Sequence, residues 1–374
     1  MKRPMEQTSL PSILLVHSPL LGVDLEAAFL EVARVRVVSP QELSVEELSR
    51  ARRMGVRGVV GVNHAPALAL LCREAGMRYV SWTVDPLPVS RWERVPGADT
   101  VMFVHRKALV APLLAMGHPR VEWMPLAAPE RRWEEEAVSS TRVAPTFVGS
   151  SLEDERNLFL GRLAAWGVSE AAGALDGLFQ ELCQVARADA SFHGFFRDPS
   201  LVPRSLAAHL LPAVSIAELA ECLDAGLAWA YRRSEVRGWV ELGVQVHGDA
   251  GWRDLGGSFR GPLRNGQEMT QLYRDTVLNV DVPRLHQREI LTLRAIDAMA
   301  SGGVVAVEAG TELEELFKPG EEFVVVRTPQ ERSDILERSL RDAAWARRVG
   351  LSAREAARSH RLGLRVERIL AALE

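Results

Sequence analysis

The chain has 374 residues, with 45 Lys and Arg against 49 Asp and Glu, a formal charge of −4. At roughly 100–200 residues per domain this length predicts two domains, and 47% hydrophobic with 25% charged residues excludes a disordered chain. The near-neutral balance excludes a dedicated, strongly basic nucleic-acid binder, and three widely separated cysteines (Cys72, Cys183, Cys222) exclude a disulfide scaffold and a CxxC metal site.

The first half alternates short β-rich runs with helical patterns. Residues 13–16 read as a strand, 24–32 as a helix, 35–38 as a strand. Ser44 with Glu47 three positions on predicts a capping box opening a helix over 44–53. Strands follow at 58–62, 79–84, 100–104 and 121–124, with a helix over 65–75 and another between the last two strands. Such alternation predicts a parallel sheet covered by helices on both faces. Its ligands bind beyond the carboxyl ends of the strands, so the loops at His17, Asn63-His64, Asp85-Pro86 and His105-Arg106 are the places to look for function.

The polar, Glu-rich stretch 129–144 reads as a linker. A strand at 146–148 runs into Gly149-Ser150-Ser151, and 153–237 is helical and rich in Ala and Leu. Strands resume at 240–246, 258–260, 277–280, 304–307 and 323–326, before an Arg-rich helical end. Lys2 and Arg3 could open a signal peptide, but Glu6 follows, and the apolar run 13–16 falls short of the roughly 7–15 residues required. No stretch approaches the roughly 20 apolar residues of a membrane span. A soluble, cytoplasmic protein is expected.

The most informative segment is Leu293-Arg-Ala-Ile-Asp-Ala-Met-Ala-Ser-Gly-Gly303, followed by a strand and by Glu312-Leu-Glu-Glu-Leu-Phe-Lys-Pro-Gly-Glu-Glu322. It resembles the CgeB-like (spore maturation type) glycosyltransferases, a GT-B family with a group-1-like C-terminal glycosyltransferase domain. Upstream, Val246-His-Gly-Asp-Ala-Gly-Trp252, Phe259-Arg-Gly261 with Glu268 and Tyr273, and Phe147-Val-Gly149 with Arg156 are similar to further motifs of that family. So are Tyr79-Val-Ser-Trp-Thr-Val-Asp-Pro86, Met124-Pro-Leu-Ala127, and Ser359-His360 with Arg365. The motifs cover most of the chain in the family's order.

The resemblance implies an α/β GT-B fold: two Rossmann-like domains whose parallel sheets face an interdomain cleft. The expected domains are 1–141 on the acceptor side and 142–345 for the nucleotide sugar, with a helical insert at about 153–237. A terminal helix, 346–374, would cross back to the first domain. The implied activity is metal-independent transfer of a sugar from a nucleoside-diphosphate sugar, a UDP-sugar, to a hydroxyl on a protein or surface glycan. No cofactor, nucleic acid or membrane contact is expected. A nucleotide-sugar epimerase of the same fold and a non-catalytic sugar-nucleotide-binding protein remain as alternatives. No G-x-G-x-x-G follows Val16, which argues against a dehydrogenase.

In the family a carboxylate on the helix after the donor loop accepts hydrogen bonds from ribose. Asp297 stands there, one methylene shorter than the usual Glu; alternatively it pairs with Arg294 on the helix. Glu289, eight positions earlier, has the spacing of an E-x7-E sugar contact, although the glycine-rich loop of that motif is missing; the other reading is a solvated acid. For the diphosphate, the turn Gly149-Ser150, the loop 284–288, Arg156 and Arg294 are the candidates. Gly248 belongs to the donor side, and the base would rest against Arg260 and Gly261. Asp85, held extended by Pro86, is the expected acceptor of the hydroxyl proton, or else a turn-forming Asp-Pro. His17 is a second catalytic candidate and His105 a weaker one. Trp82 and Trp252 are each either core or ring-stacking residues.

Overall fold

The computed structural model describes residues 10–18, 21–85, 92–134, 142–167, 214–308 and 310–374, so that Pro86, Cys183 and much of the expected insert lie outside the described residues. The chain divides into two compact units, Met1–Glu130 with Ser359–Glu374, and Arg131–Arg358.

The first unit is built on a six-stranded parallel sheet: β1 (Ser12–Val16), β2 (Arg34–Val38), β3 (Val56–Val62), β4 (Arg78–Thr83), β5 (Thr100–Val104) and β6 (Arg120–Trp123). Their order is β2-β1-β3-β4-β5-β6. Central strands need two apolar faces, and β5 is buried along its whole length. Helices α1 (Gly22–Leu30), α2 (Val45–Arg53), α3 (Pro66–Ala75) and α4 (Val110–Ala115) make the crossovers. At α2 only half of the expected capping box forms. Ser44 Oγ accepts from the Glu47 N–H at 3.2 Å, but the Glu47 carboxylate turns to Arg50 at 2.8 Å. The helix α3 stops at Gly76, whose φ of +63° is the left-handed end that glycine tolerates.

The chain's last helix, described below as α12 (Leu362–Ala372), packs on α1 within this unit. Arg365 donates to the Pro125 carbonyl at 2.9 Å and to His360 Nδ1 at 2.7 Å, while Leu362 N–H bonds the Ala128 carbonyl at 2.9 Å. The sequence motifs around Met124 and around His360 therefore hold each other. Burial and the adjacent guanidinium keep His360 neutral, its pKa down at about 4.

The second unit has its own six-stranded parallel sheet: β7 (Thr146–Val148), β8 (Gln245–His247), β9 (Phe259–Gly261), β10 (Asn279–Val280), β11 (Val305–Glu308) and β12 (Val324–Val326). The order is β12-β11-β10-β7-β8-β9. Counted within the unit this is the doubly wound order 3-2-1-4-5-6, whose direction of winding reverses between β7 and β10. Helices are α5 (Glu153–Ala165), α6 (Ile216–Val240), α7 (Gln267–Asp275), α8 (Leu293–Ala300), α9 (Thr311–Leu316), α10 (Pro329–Arg341) and α11 (Ala343–Ala356), then α12 in the first unit.

The structure differs from the sequence expectation in places. Residues 240–244 are not strand. Ser215 and Glu218 form a capping box, and the buried Leu219, Cys222, Leu223, Leu227, Tyr231, Val236 and Trp239 keep helical spacing, so α6 runs on to Val240. Those residues, with Phe159 and Leu163 of α5, belong to the main core of this unit, so that α5 and α6 contribute directly to it. Finally, 129–144 is more than a linker. Glu130–Trp133 is a 3-10 helix and Arg132 is fully buried within the second unit, which moves the division from 141 to 130. Ala343–Ala356 likewise stays with the second unit, and only Ser359–Glu374 groups with the first.

Candidate functional site

In an open parallel sheet the crevice for a ligand forms where the winding reverses, here at the carboxyl ends of β7 and β10. Strand β7 ends in Gly149, Ser150 and Ser151. The Gly149 N–H bonds the His247 carbonyl at 2.9 Å, and its carbonyl accepts from Trp252 Nε1 at 2.9 Å. Gly248 lies so close that a Cβ there would collide with the Gly149 oxygen, which is why the two turns carry glycine. Ser151 is locked by Asp249, N–H to Oδ2 at 2.8 Å and Oγ to Oδ1 at 2.6 Å. These bonds and that of the Gly251 N–H hold the Asp249 carboxyl below its usual range despite its partial burial. Trp252 is fully buried, edge-on to Phe147 at 5.9 Å, and is core.

Strand β10 runs into Asp281, which is buried. Its Oδ2 accepts from Thr292 Oγ1 at 2.6 Å and its Oδ1 from Arg294 Nε at 2.9 Å. Thr292 is the N-cap of α8, accepting from the Ala295 N–H at 3.1 Å. Arg294 also donates to the Val282 carbonyl at 2.8 Å and lies 5.6 Å over the Phe147 ring. A Cβ on Gly149 would stand 3.2 Å from Arg294 Nη1. Arg294 thus pairs with Asp281, not with Asp297, and sits against the β7 turn.

A further arginine that the sequence reading missed completes the cluster. Arg232, on α6, is only 3% exposed, and its Nη1 donates to both the carbonyl and Oγ of Ser150 at 3.3 Å. Its Nε has no hydrogen-bond partner among the described residues. Burial, followed by Arg294 and Arg284, pushes its pKa well below the usual arginine value, with Asp281 and Glu155 opposing. Three guanidinium groups against two carboxylates leave an excess of positive charge at the switch point. Arg284 is ion-paired with Glu155. Arg288, at the far end of the expected 284–288 loop, approaches Glu308 at 3.8 Å. Burial and the neighbouring Glu235 push the Glu308 carboxyl up.

The remaining donor-side candidates divide. Arg156 lies on α5, pairs with Glu153 at 2.9 Å and stacks 5.2 Å over Trp229 of α6, so it ties α5 to α6. Arg260 is exposed on β9, and Gly261 follows with φ +87°, its carbonyl accepting the Gly248 N–H at 3.0 Å. Glu289 is half-buried, its carbonyl accepting the Leu313 N–H at 3.2 Å. Asp297 binds Arg132 Nη2 through Oδ2 at 2.7 Å and keeps 17% of its side chain exposed.

In the first unit His17, Asn63, Asp85 and His105 stand at the ends of β1, β3, β4 and β5. His17 is exposed and borders a small hollow with Ser18, Leu25 and Glu26. Asn63, in the left-handed region at φ +64°, holds Asp85 from two sides. Its Nδ2 donates to Asp85 Oδ2 at 2.9 Å, and its Oδ1 accepts the Val84 and Asp85 N–H groups at 3.0 and 3.2 Å. His105 is buried and donates to the Thr83 carbonyl at 2.9 Å. Burial and Arg106 drop its pKa to about 3, so it is a neutral core group and not an acid–base candidate near pH 7. Trp82 is fully buried and bonds the Met124 carbonyl at 3.2 Å; it cannot stack on a sugar. Among the described residues no group of three or more His, Cys, Asp or Glu is placed to hold a metal ion. No helix among them is long and apolar enough to cross a membrane.

Residues 229–371, from the second half of α6 into α12, match a family described as Glycosyl transferase-like. No curated protein sequence matches the chain. In fold the chain is similar to sucrose-phosphate synthase from Thermosynechococcus elongatus (TM-score 0.56, 12% identity, 97% of this chain and 98% of that one). It is also similar to Anabaena HepE in complex with UDP and glucose (TM-score 0.52, 10% identity, 97% and 98%). A glycosyltransferase from Rickettsia africae is a third (TM-score 0.52, 10% identity, 98% and 98%). The architecture is GT-B, as expected from the sequence.

Proposed function

We propose that the protein is a glycosyltransferase of the CgeB-like type, moving a sugar from a nucleoside-diphosphate sugar to an acceptor hydroxyl on a protein or surface glycan. The observation that carries this reading is the gathering of Arg284 and Arg294 about the buried Arg232, which itself holds Ser150 at the β7–β10 switch point. Guanidinium forks suit phosphate oxygens, and buried, pre-oriented charge stabilises the diphosphate as it leaves. Those groups supply the charge that a metal ion supplies elsewhere. On this reading Asp297 takes a ribose hydroxyl, Gly261 and Arg260 border the base, and Glu289 contacts the sugar. A UDP-sugar is the favoured donor, because HepE, similar in fold, is seen with UDP and glucose.

Asp85, with Oδ2 already tied to Asn63, accepts the proton of the acceptor hydroxyl. The acceptor oxygen then bonds the anomeric carbon while the bond from that carbon to the diphosphate breaks, its electron pair leaving with the nucleoside diphosphate. His17 stands as a second proton carrier at the same edge.

The test is a donor panel of UDP-, GDP-, ADP- and dTDP-glucose, with and without hydroxyl acceptors. Nucleoside diphosphate release should require the acceptor, persist in EDTA and fall sharply in Asp297→Ala. Conversion of the donor to an isomer without acceptor would show an epimerase instead. Tight donor binding with no turnover on any acceptor would show a binding protein.

A further inference from the structure

We infer that Arg132 is a positioning residue for the nucleoside half of the donor, an inference that rests on the donor site proposed above. An arginine with no exposed surface is costly unless its charge and donors are satisfied. Here the partners are unusually specific. Nη2 donates to Asp297 Oδ2 at 2.7 Å and to Asn265 Oδ1 at 3.0 Å. Nη1 donates to Thr270 Oγ1 at 2.7 Å and to the Gly266 carbonyl at 3.2 Å. The guanidinium carbon lies 5.8 Å from the Tyr273 ring centroid. Arg131, beside it, also donates to Asn265 Oδ1, at 3.1 Å.

These contacts join two separate elements. One is α8, which presents Asp297. The other is the turn 264–266 and first turn of α7, immediately after the segment 260–263 against which the base rests. One rigid, planar fork therefore sets both the direction of the ribose carboxylate and the distance from it to the base-side turn. A lysine could match the charge but not the fork. The shortness of Asp297 gives this meaning: with one methylene fewer than Glu the carboxylate reaches less far, and Arg132 fixes where it points. Among the described residues no hydrogen bond joins Arg132 to the guanidinium cluster at Ser150, although Tyr273, whose ring lies beside Arg132, also borders a small hollow with Asp281 and Arg294. Base and ribose recognition thus depend on Arg132, and diphosphate recognition does not.

That separation supplies the test. Calorimetric affinities would be measured for inorganic pyrophosphate and for whichever of UDP, GDP and ADP the wild type binds, on wild type, Arg132→Met and Arg132→Lys. In Arg132→Met the nucleotide should bind about tenfold more weakly or worse, the scale of a lost charge-assisted hydrogen-bond pair, with pyrophosphate affinity unchanged. In turnover the donor KM should rise and kcat stay near wild type. Arg132→Lys, which keeps the buried cation if the methionine variant fails to fold, should fall in between for nucleotide and match wild type for pyrophosphate. Unchanged nucleotide affinity in both variants would overturn the role of Arg132 while leaving the donor site standing. Parallel weakening of nucleotide and pyrophosphate would also overturn it, since that is the mark of general loosening. Wild type that binds no nucleotide would overturn the donor reading and this inference together.

Discussion

The two sheets have the same number of strands and the same parallel pairing, yet their carboxyl ends are built for different chemistry. In the second unit the winding reverses between β7 and β10, and there the chain places three arginines, two glycine turns and a capped helix start. In the first unit the reversal lies between β1 and β3, and the groups at that edge are an exposed His17 and an Asp85 braced by Asn63. One edge is cationic and partly buried; the other carries Asp85, held in place by Asn63. A diphosphate requires the first kind of edge, and a hydroxyl that must lose a proton requires the second. In a chain with a net charge of −4 this local excess of positive charge sits in one unit.

The largest expected effect tests the carboxylate edge. Asp85→Asn keeps the shape of the side chain and its place beside Asn63 but removes the base. If Asp85 takes the acceptor proton, kcat should fall by about 10²–10⁴-fold, the usual worth of a positioned proton acceptor, with donor affinity unchanged. Activity within a few-fold of wild type would erase the distinction between the edges and leave Asp85 as a turn residue.

The next effect tests the cationic edge. Arg232→Met should weaken binding of pyrophosphate and of nucleoside diphosphate alike, by about 10- to 100-fold, the range for losing charge-assisted bonds in a desolvated site. Arg232→Lys should recover part of it. This outcome is the mirror of that expected for Arg132, where the nucleotide suffers alone. Undiminished pyrophosphate binding in Arg232→Met would show that the cluster is a structural brace for Ser150 and nothing more.

How much of this could be read from the sequence depended on the kind of signal. Most strands were legible because short valine-rich runs have few alternatives, although 240–244 proved to lie outside the strand at 245–247; Asp297 was singled out from its place in an ordered series of motifs. Arg232 was not, because it lies in a long Ala- and Leu-rich helix where any arginine passes for a solvated one; only burial and the Ser150 contacts distinguish it. Arg132 was hidden for the opposite reason, inside a Glu-rich stretch that looks like a linker. Arg294 was found, but its partner was not, since pairing with Asp281 depends on strand β10 ending beside the cap of α8. Asn63 was legible only as part of a loop after a strand; its left-handed backbone and its hold on Asp85 were not, because that contact spans 22 positions of sequence.

The smallest effect is confined to acid, and it separates the units by stability and not by activity. Burial drops the pKa of His105 from 6.5 to about 3, and burial with Arg365 drops that of His360 from 6.5 to about 4; both belong to the first unit. A depressed histidine pKa means that the folded form resists a proton which the unfolded chain accepts. Stability is therefore flat above pH 6.5 and declines as the pH falls from 6.5 towards 4, each histidine contributing up to about 1.4 kcal/mol per pH unit. The carboxylates held below their usual range, such as Asp249 in the second unit, act only below about pH 4.5, the unperturbed carboxylate region. His247 in the second unit shifts the same way, lowered by burial and Arg260, but it is only half-buried and so contributes less. Hydrogen exchange resolved by mass spectrometry between pH 7 and 5 should show β4 and β5 losing protection before β7 and β10. His105→Gln with His360→Gln should flatten that difference, because glutamine has no proton to gain. Equal acid lability of the two sheets would mean that the buried imidazoles of the first unit are not what distinguishes its response to pH.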